Sequence, residues 1–271
     1  GAVSGRFSYN HPNLQQIPSR GQFAQEIRKL FIPEVGEYWL KADYSQQEPR
    51  LLTHWACLVG QMGAQEVKEA YQKSDLDFHQ QTADMAGVER RLAKTIGLGV
   101  MYGMGYNKMA RELDIDPQDA KKMLADFRER VPFMQGMLEA VMNRANSKGI
   151  IRTLLGRKCR FDLWEPMSWG VHKALPHNQA KVEYGDAIKR AGTYKALNRL
   201  IQGSAADQTK KAMVDVYEQL GVTPLIQVHD ELDCSVKGEK EAKEIQRVME
   251  TCVELEVPSK ADIDLGESWG G

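Results

Sequence analysis

Two short apolar runs that each close on an aspartate stand near opposite ends of the 271-residue chain. They constrain the fold more than any other feature. Glu37-Tyr38-Trp39-Leu40-Lys41-Ala42 reads as a strand ending at Asp43, and 223–228 with 232–236 read as two strands flanking His229-Asp230-Glu231. A helix is expected at about 239–254 and a closing strand at 261–265. Between the two ends the pattern is helical: from Gln47 to Leu58, through a run of helices over 64–147, and again at about 183–198 and 204–220. Pro49 fits the first of these only if it lies in the first turn, where its missing N–H is not needed. Residues 1–35 read as an irregular lead-in, 150–154 as a short strand, and 161–180 as an irregular insertion. The result is an α+β pattern whose sheet is assembled from both ends of the chain.

Such a sheet brings Asp43 and Asp230 together. Two carboxylates at strand ends make an oxygen-only site suited to hard cations such as Mg²⁺. Two such ions about 3.5–4 Å apart can stabilise the attacking and leaving oxygens of a phosphoryl displacement. Each aspartate taken singly is equally compatible with a plain strand end. The His229-Asp230-Glu231 turn is less easily dismissed, because it crowds ionisable groups where Asn-Gly would be easier.

Arg90, Lys94, Leu98 and Tyr102 recur every four residues, which puts them on one helical face spanning about 18 Å. Two cations near a helix N-terminus oppose the helix dipole unless an anion binds there. Leu98 and Tyr102 then offer apolar surface to a sugar and a base, while Leu92, Ile96, Gly99 and Gly103 form a small, apolar opposite face. An amphipathic helix with snorkelling cations has the same spacing. Gly97, Gly99 and Gly103 miss the dinucleotide-binding spacing.

The net charge of −1 conceals a segregation: from Asp230 onward, twelve acids face five Lys and Arg. Arg144, Lys148, Arg152, Arg157, Lys158 and Arg160 run without an intervening acid, which permits a phosphate-backbone contact. A solvated face would have the same composition. With 42% hydrophobic and 27% charged residues the chain is of ordinary globular composition, enough for one large domain or two modest ones. No apolar run is long enough for a membrane span. Four widely spaced cysteines without a CxxC pair argue against a zinc cluster or disulfide framework, and for a reducing, cytosolic setting. The chain opens on Gly1 rather than Met, which reads as a piece of something longer.

Together these segments resemble the family A, polymerase I-like, DNA polymerases, with a bacteriophage-like cast. Asp43-Tyr44-Ser45-Gln46-Gln47-Glu48-Pro49-Arg50 resembles the family's first polymerase motif. The Arg90…Lys94…Leu98…Tyr102-Gly103 series resembles its fingers-helix motif, and Val228-His229-Asp230-Glu231 its third. Gly5-Arg6, Pro12-Asn13-Leu14-Gln15, Asp77-Phe78-His79, Leu155-Gly156-Arg157, Gln202-Gly203-Ser204 and the Gly266-Glu267-Ser268-Trp269 ending match in the same order. Coverage is weakest at about 161–195.

The resemblance implies a right-hand polymerase fold: an antiparallel palm sheet from 1–58 and 191–271, a mostly helical fingers insertion at about 59–190, and no thumb in the chain. It implies a template-directed DNA polymerase that adds dNTPs to a primer 3′ end and releases pyrophosphate. Asp43 and Asp230, with the Tyr44 carbonyl, would hold two Mg²⁺ ions. His79, Arg90 and Lys94 would grip the triphosphate, Lys94 also protonating the leaving pyrophosphate. Gln46 would touch the nucleotide, and Glu48 would lie beneath its sugar and exclude a 2′-hydroxyl. Leu98 would pack on the nucleotide and Tyr102 at the template position. Arg6, Asn13, Gln15, Arg157, Asn198, Gln202 and His229 would contact primer and template. An upstream thumb and exonuclease region, or a second chain, would complete the enzyme in the cytoplasm, a host's if viral; no membrane partner is implied. Gln47 and Pro49 replace an apolar pair around Glu48, Gly97 stands where Asn is common, and Leu98 replaces an aromatic residue. The alternative is a non-catalytic fragment that binds primer–template and needs a missing thumb to act. A single-subunit RNA polymerase is disfavoured by Glu48.

Overall fold

The computed structural model describes residues 2–19, 21, 23–73, 76–168 and 170–271. It divides into two compact units, Gly1–Leu51 with Gln202–Gly271, and Leu52–Ile201. In chain order, α1 (Ala24–Arg28), β1 (Tyr38–Tyr44) and α2 (Gln47–Leu58) lead into α3 (Ala64–Lys73), α4 (Phe78–Ala86) and α5 (Arg90–Met101). Then follow α6 (Tyr106–Leu113), α7 (Pro117–Arg130), α8 (Pro132–Lys148) and the hairpin β2 (Ile150–Arg152) and β3 (Lys158–Arg160). Next come β4 (Leu163–Pro166), β5 (Leu175–Pro176), α9 (His177–Tyr184) and β6 (Ile188–Arg190). The chain closes with α10 (Ala196–Leu220), β7 (Ile226–Val228), β8 (Glu231–Val236), α11 (Glu239–Thr251) and β9 (Ala261–Gly266).

The first unit is built on an antiparallel sheet of order β7-β8-β1-β9. Side chains alternate along a strand, so each strand serves two faces. Leu40, Ala42 and Tyr44 of β1 join Leu232, Cys234 and Val236 of β8 on one face, buried against Ala212 and Val216 of α10 and Ala242, Ile245, Val248 and Met249 of α11. The other face begins with a smaller cluster of Trp39, Ile226 and Trp269 and continues into charged residues. Asp43 and Glu231 lie opposite each other on this face.

The second unit is helical, and its ends follow local rules. Asp77 caps α4 by accepting from the backbone N–H groups of His79 and Gln80, at 3.0 and 3.1 Å. Asp116 caps α7, with Pro117 at its first position. Phe78, Ile96, Phe127, Phe133, Met134 and Met137 are buried in its core. Among the described residues no helix is long and apolar enough to cross a membrane.

Several expectations need correction. The helix expected at 183–198 is not formed: α9 stops at Tyr184, β6 pairs with β4, and α10 starts only at Ala196. Gly185 and Gly192, both at positive φ, end the helical path on either side of β6. Residues 161–180 are not irregular, since β4 and β5 belong to a β5-β4-β6 sheet in which the Arg190 guanidinium stacks 4.7 Å from the Trp164 ring. These strands are two to four residues long, too short for a period-two signal to show. At the other end, Gly203-Ser204 does not open a helix but lies buried inside α10, and Thr223–Leu225 precedes β7 rather than forming part of it. Tyr102 caps α5 instead of belonging to it. Gly103 follows at φ +67°, and a Cβ there would meet the Tyr194 carbonyl oxygen at 2.7 Å, so the chain must leave the helix at a residue without a side chain.

Candidate active site

The ladder explains how acids collect on the polar face. Asp43 of β1 lies opposite Glu231 of β8 on one side and Asp262 of β9 on the other. Directly opposed residues of an antiparallel pair share a face, so three carboxyls converge. Asp230 joins them from the turn before β8, its carbonyl accepting from the Tyr44 N–H at 3.4 Å. Loss of solvent, then the negative charges of Asp230, Glu231 and Asp262, push the Asp43 carboxyl up to about 7. Because Asp43 keeps contact with water, the like charges are the firmer of these causes. Burial likewise raises Asp230, with Glu48 adding to the shift and Arg6 and His229 opposing it.

A divalent cation suits this donor set. Hard oxygens crowd together with too few counter-charges, and Mg²⁺ is commonly held by one or two carboxylates with water and substrate phosphate completing the shell. No group of three or more His, Cys, Asp or Glu among the described residues is arranged as a metal cage. The Tyr44 ring is buried and its hydroxyl donates to the Met249 carbonyl at 2.7 Å, which leaves only its backbone oxygen for a ligand.

Helix α2 begins beside this cluster, with Gln46 at φ 52° and its carbonyl accepting from the Arg50 N–H. Pro49 is the third helical residue, so its ring costs no hydrogen bond. Gln47 is buried, and its amide reaches the Ala205 carbonyl, Gln208 Oε1 and Thr209 Oγ1 at 3.2–3.3 Å. The unusual polar residue thus staples α2 to α10. The Glu48 carboxylate accepts from the Arg6 guanidinium at 2.6 Å, with both side chains mostly covered. Asn13 is engaged in its own turn, accepting from the Gln15 N–H, and the Gln15 amide reaches the Gln227 carbonyl at 3.5 Å. Gln202 lies half-buried on α10, and His229 is exposed at φ 57°.

The second unit gathers a cationic set. Asp77 also accepts from Arg90 Nε at 2.6 Å, so one carboxylate fixes both the start of α4 and the first residue of α5. Partial loss of solvent works against ionisation of Asp77, but Arg90 and the two backbone donors hold it below its ordinary range. His79 Nδ1 is buried and makes no hydrogen bond among the described residues. Loss of solvent, followed by the charges of Lys94 and Arg90, holds the His79 imidazole below its ordinary range, with Asp77 opposing. Lys94 is exposed while Leu98 and Tyr102 are half-buried, and Ala93, Ile96, Gly97, Gly99 and Val100 face inward. The charges of Arg90 and Lys94 on α5 thus bear on His79 of α4. Arg157 and Asn198 are half-buried elsewhere in this unit. Of the basic stretch, Arg152 is turned back on the Gly156 carbonyl.

The sequence marks Glu231 only as part of a crowded turn, and it singles out neither Asp262, nor the Arg6–Glu48 pair, nor the capping role of Asp77. Alternation of Asp262 and Asp264 along a strand was a usable signal. Cross-strand register, which makes Asp262 a neighbour of Asp43, was not.

The chain matches the family model described as DNA polymerase family A over residues 1–271. It is 39% identical to a DNA-directed DNA polymerase of Pseudomonas phage M6 over 100% of this chain and 44% of that protein. It is 33% identical to the thermostable DNA polymerase I of Thermus filiformis over 98% of this chain and 31% of that protein. Among solved structures, the polymerase domain of Pol1 from M. smegmatis, in complex with DNA primer–template and dNTP, superposes with a TM-score of 0.80 at 31% identity. That match covers 99% of this chain and 46% of the other. The chain therefore spans less than half the length of these relatives.

Proposed function

The chain belongs to DNA polymerase family A, and on that premise we propose that it carries the nucleotidyl-transfer centre of a template-directed DNA polymerase, with the first unit as palm and the second as fingers. The observation that carries the reading is the convergence of Asp43 and Asp230 among Glu231 and Asp262 on one sheet face. Two Mg²⁺ ions, when bound, would stabilise the attacking and leaving oxygens of the phosphoryl transfer. Asp43, Asp230 and the Tyr44 carbonyl would hold them. His79, Arg90 and Lys94 would bind the triphosphate, a neutral imidazole and two cations matching a poly-anion. Lys94 would deliver a proton to the pyrophosphate. Leu98 and Tyr102 would meet the nucleotide and the template, and Gln46 the nucleotide. Arg6, Asn13, Gln15, Arg157, Asn198, Gln202 and His229 would line the path of primer and template, with further regions of the full-length gene product, a thumb among them, closing on the duplex.

Primer extension by the full-length gene product with Mg²⁺ and dNTPs tests the reading. Template-directed addition is expected, and its absence from a folded enzyme that binds primer–template would favour a non-catalytic role. The same assay tests the sugar gate. Glu48 is pinned by Arg6 on one side and by the Gln47 staple behind it, so it obstructs as a fixed wall rather than a mobile chain. Glu48→Ala should lower the ratio of dNTP to NTP kcat/KM by about tenfold or more, about 1.4 kcal/mol of discrimination. A ratio equal to wild type would remove Glu48 from the gate.

A further inference from the structure

The two oxygens of the Asp77 carboxylate serve two different helices. Oδ1 accepts from the backbone N–H groups of His79 and Gln80 at 3.0 and 3.1 Å, which closes the first turn of α4. Oδ2 accepts from Arg90 Nε at 2.6 Å, which holds the side chain of the first residue of α5. His79 is tied on its other side as well. Thr82 Oγ1 donates to the Phe78 and His79 carbonyls at 2.9 and 3.1 Å. The His79 ring lies edge-on to Phe78 at 5.8 Å, and Phe78 is itself buried against Phe133.

Stability does not account for the bond to Arg90. The two side chains are 41% and 49% exposed, and an ion pair so open to water adds little to a fold. The cap does not need an acid either, because serine and asparagine cap a helix as well as aspartate does. An anion beside Arg90, Lys94 and His79 even weakens the pull of that set on a second anion. What the bond does supply is geometry. A guanidinium carries five N–H donors in a rigid fork, and a contact through Nε leaves the edge formed by the two Nη groups for a phosphate. A long side chain that is already held loses less freedom when it grips a ligand than one that is not.

We propose that Asp77 is a positioning residue for the triphosphate: it fixes the Arg90 guanidinium and the His79 backbone in advance, so that a dNTP meets a prearranged cationic grip. This rests on the assignment of Arg90 and His79 to the triphosphate. Asp77 itself does not touch the nucleotide; it acts on affinity through Arg90.

The test compares Asp77→Ser, Asp77→Asn, Arg90→Ala and the double variant Asp77→Ser with Arg90→Ala in the full-length gene product. Single-nucleotide addition at saturating primer–template gives kcat and KM for dNTP, and the melting temperature is read beside them. Serine caps α4 but is too short to reach Arg90. Asparagine keeps the size but has one acceptor oxygen, so it cannot serve the cap and Arg90 together. Each should melt within about 2 °C of wild type, since the cap survives. Each should raise KM about 3- to 10-fold, the cost of ordering one long side chain on binding, with kcat within about threefold. In the Arg90→Ala background, Asp77→Ser should change KM by less than about twofold, because the residue it acts through is gone.

Wild-type KM in both Asp77 variants, with Arg90→Ala impaired, overturns the positioning role and leaves the triphosphate site standing. Wild-type KM in Arg90→Ala overturns the assignment of Arg90 itself. A lower KM in the Asp77 variants means that charge outweighs geometry, and the proposal fails. It fails too if Asp77→Ser raises KM as much without Arg90 as with it, or if KM rises only where melting temperature falls. Should one Asp77 variant not fold, the other decides by the same criteria.

Discussion

Asp230→Asn, like Asp43→Asn, is expected to abolish nucleotide addition while leaving the fold intact. Both side chains lie on the polar face of the sheet, outside the apolar cluster formed by Leu40, Leu232, Val216 and Ile245. Removing a charge from a crowd of like charges relieves repulsion, so the variants should melt no lower than wild type. The chemistry has no such relief. On the proposed function each substitution would remove an anionic ligand from a site that holds divalent cations against a triphosphate, a loss of several kcal/mol in the transition state. About 4 kcal/mol is roughly a thousandfold in rate. Single-turnover addition of one dNTP, at saturating primer–template, measures it. A rate within about tenfold of wild type would mean the carboxylate is not a metal ligand.

Lys94→Ala carries the second large effect. Lys94 stands one helical turn beyond Arg90, which Asp77 holds in place, and its charge bears on His79. The two cations differ in kind: Arg90 is fixed by a carboxylate, whereas the Lys94 ammonium is exposed and can follow its target. Of these two cations only the lysine can release a proton during turnover, because a guanidinium stays protonated. The expected result is a fall in kcat of about 10²- to 10⁴-fold, the range for loss of a general acid, with a smaller change in KM for dNTP. Arg90→Ala should show the reverse split, raising KM more than it lowers kcat. Equal kcat in Lys94→Ala and wild type under single-turnover conditions would remove Lys94 from the proton transfer.

Much of this arrangement was legible before any coordinates. Strands β1 and β8 announce themselves by apolar runs closed or opened by acids, and α5 by its four-residue repeat. Those two patterns mark Asp43, Asp230, Arg90 and Lys94 as candidates, and the family resemblance supplies the roles expected of them. What the sequence hides is register and long-range pairing. Nothing in Glu231, Asp262 or Arg6 taken singly says that the first two flank Asp43, or that the third closes on Glu48. Gln47 looked like a defect in an apolar pattern, and only its three partners on α10 show it to be a staple. The 161–195 segment failed for a different reason. Its strands are short, its glycines read as loop, and its one strong organiser, Arg190 against Trp164, joins residues whose contact no local rule predicts.

On the proposed function Asp43 and Asp230 make one divalent-cation site that drives nucleotide addition. Its most direct test is a Mg²⁺ titration of single-nucleotide addition to a primer, comparing wild type with Asp230→Asn at equal primer–template occupancy. Wild type should add no nucleotide without the divalent ion and show a steep rise as it is supplied. The variant should show no recovery at any Mg²⁺ concentration. Addition that persists in wild type under chelation, or a variant whose rate and Mg²⁺ dependence overlay those of wild type, would contradict it.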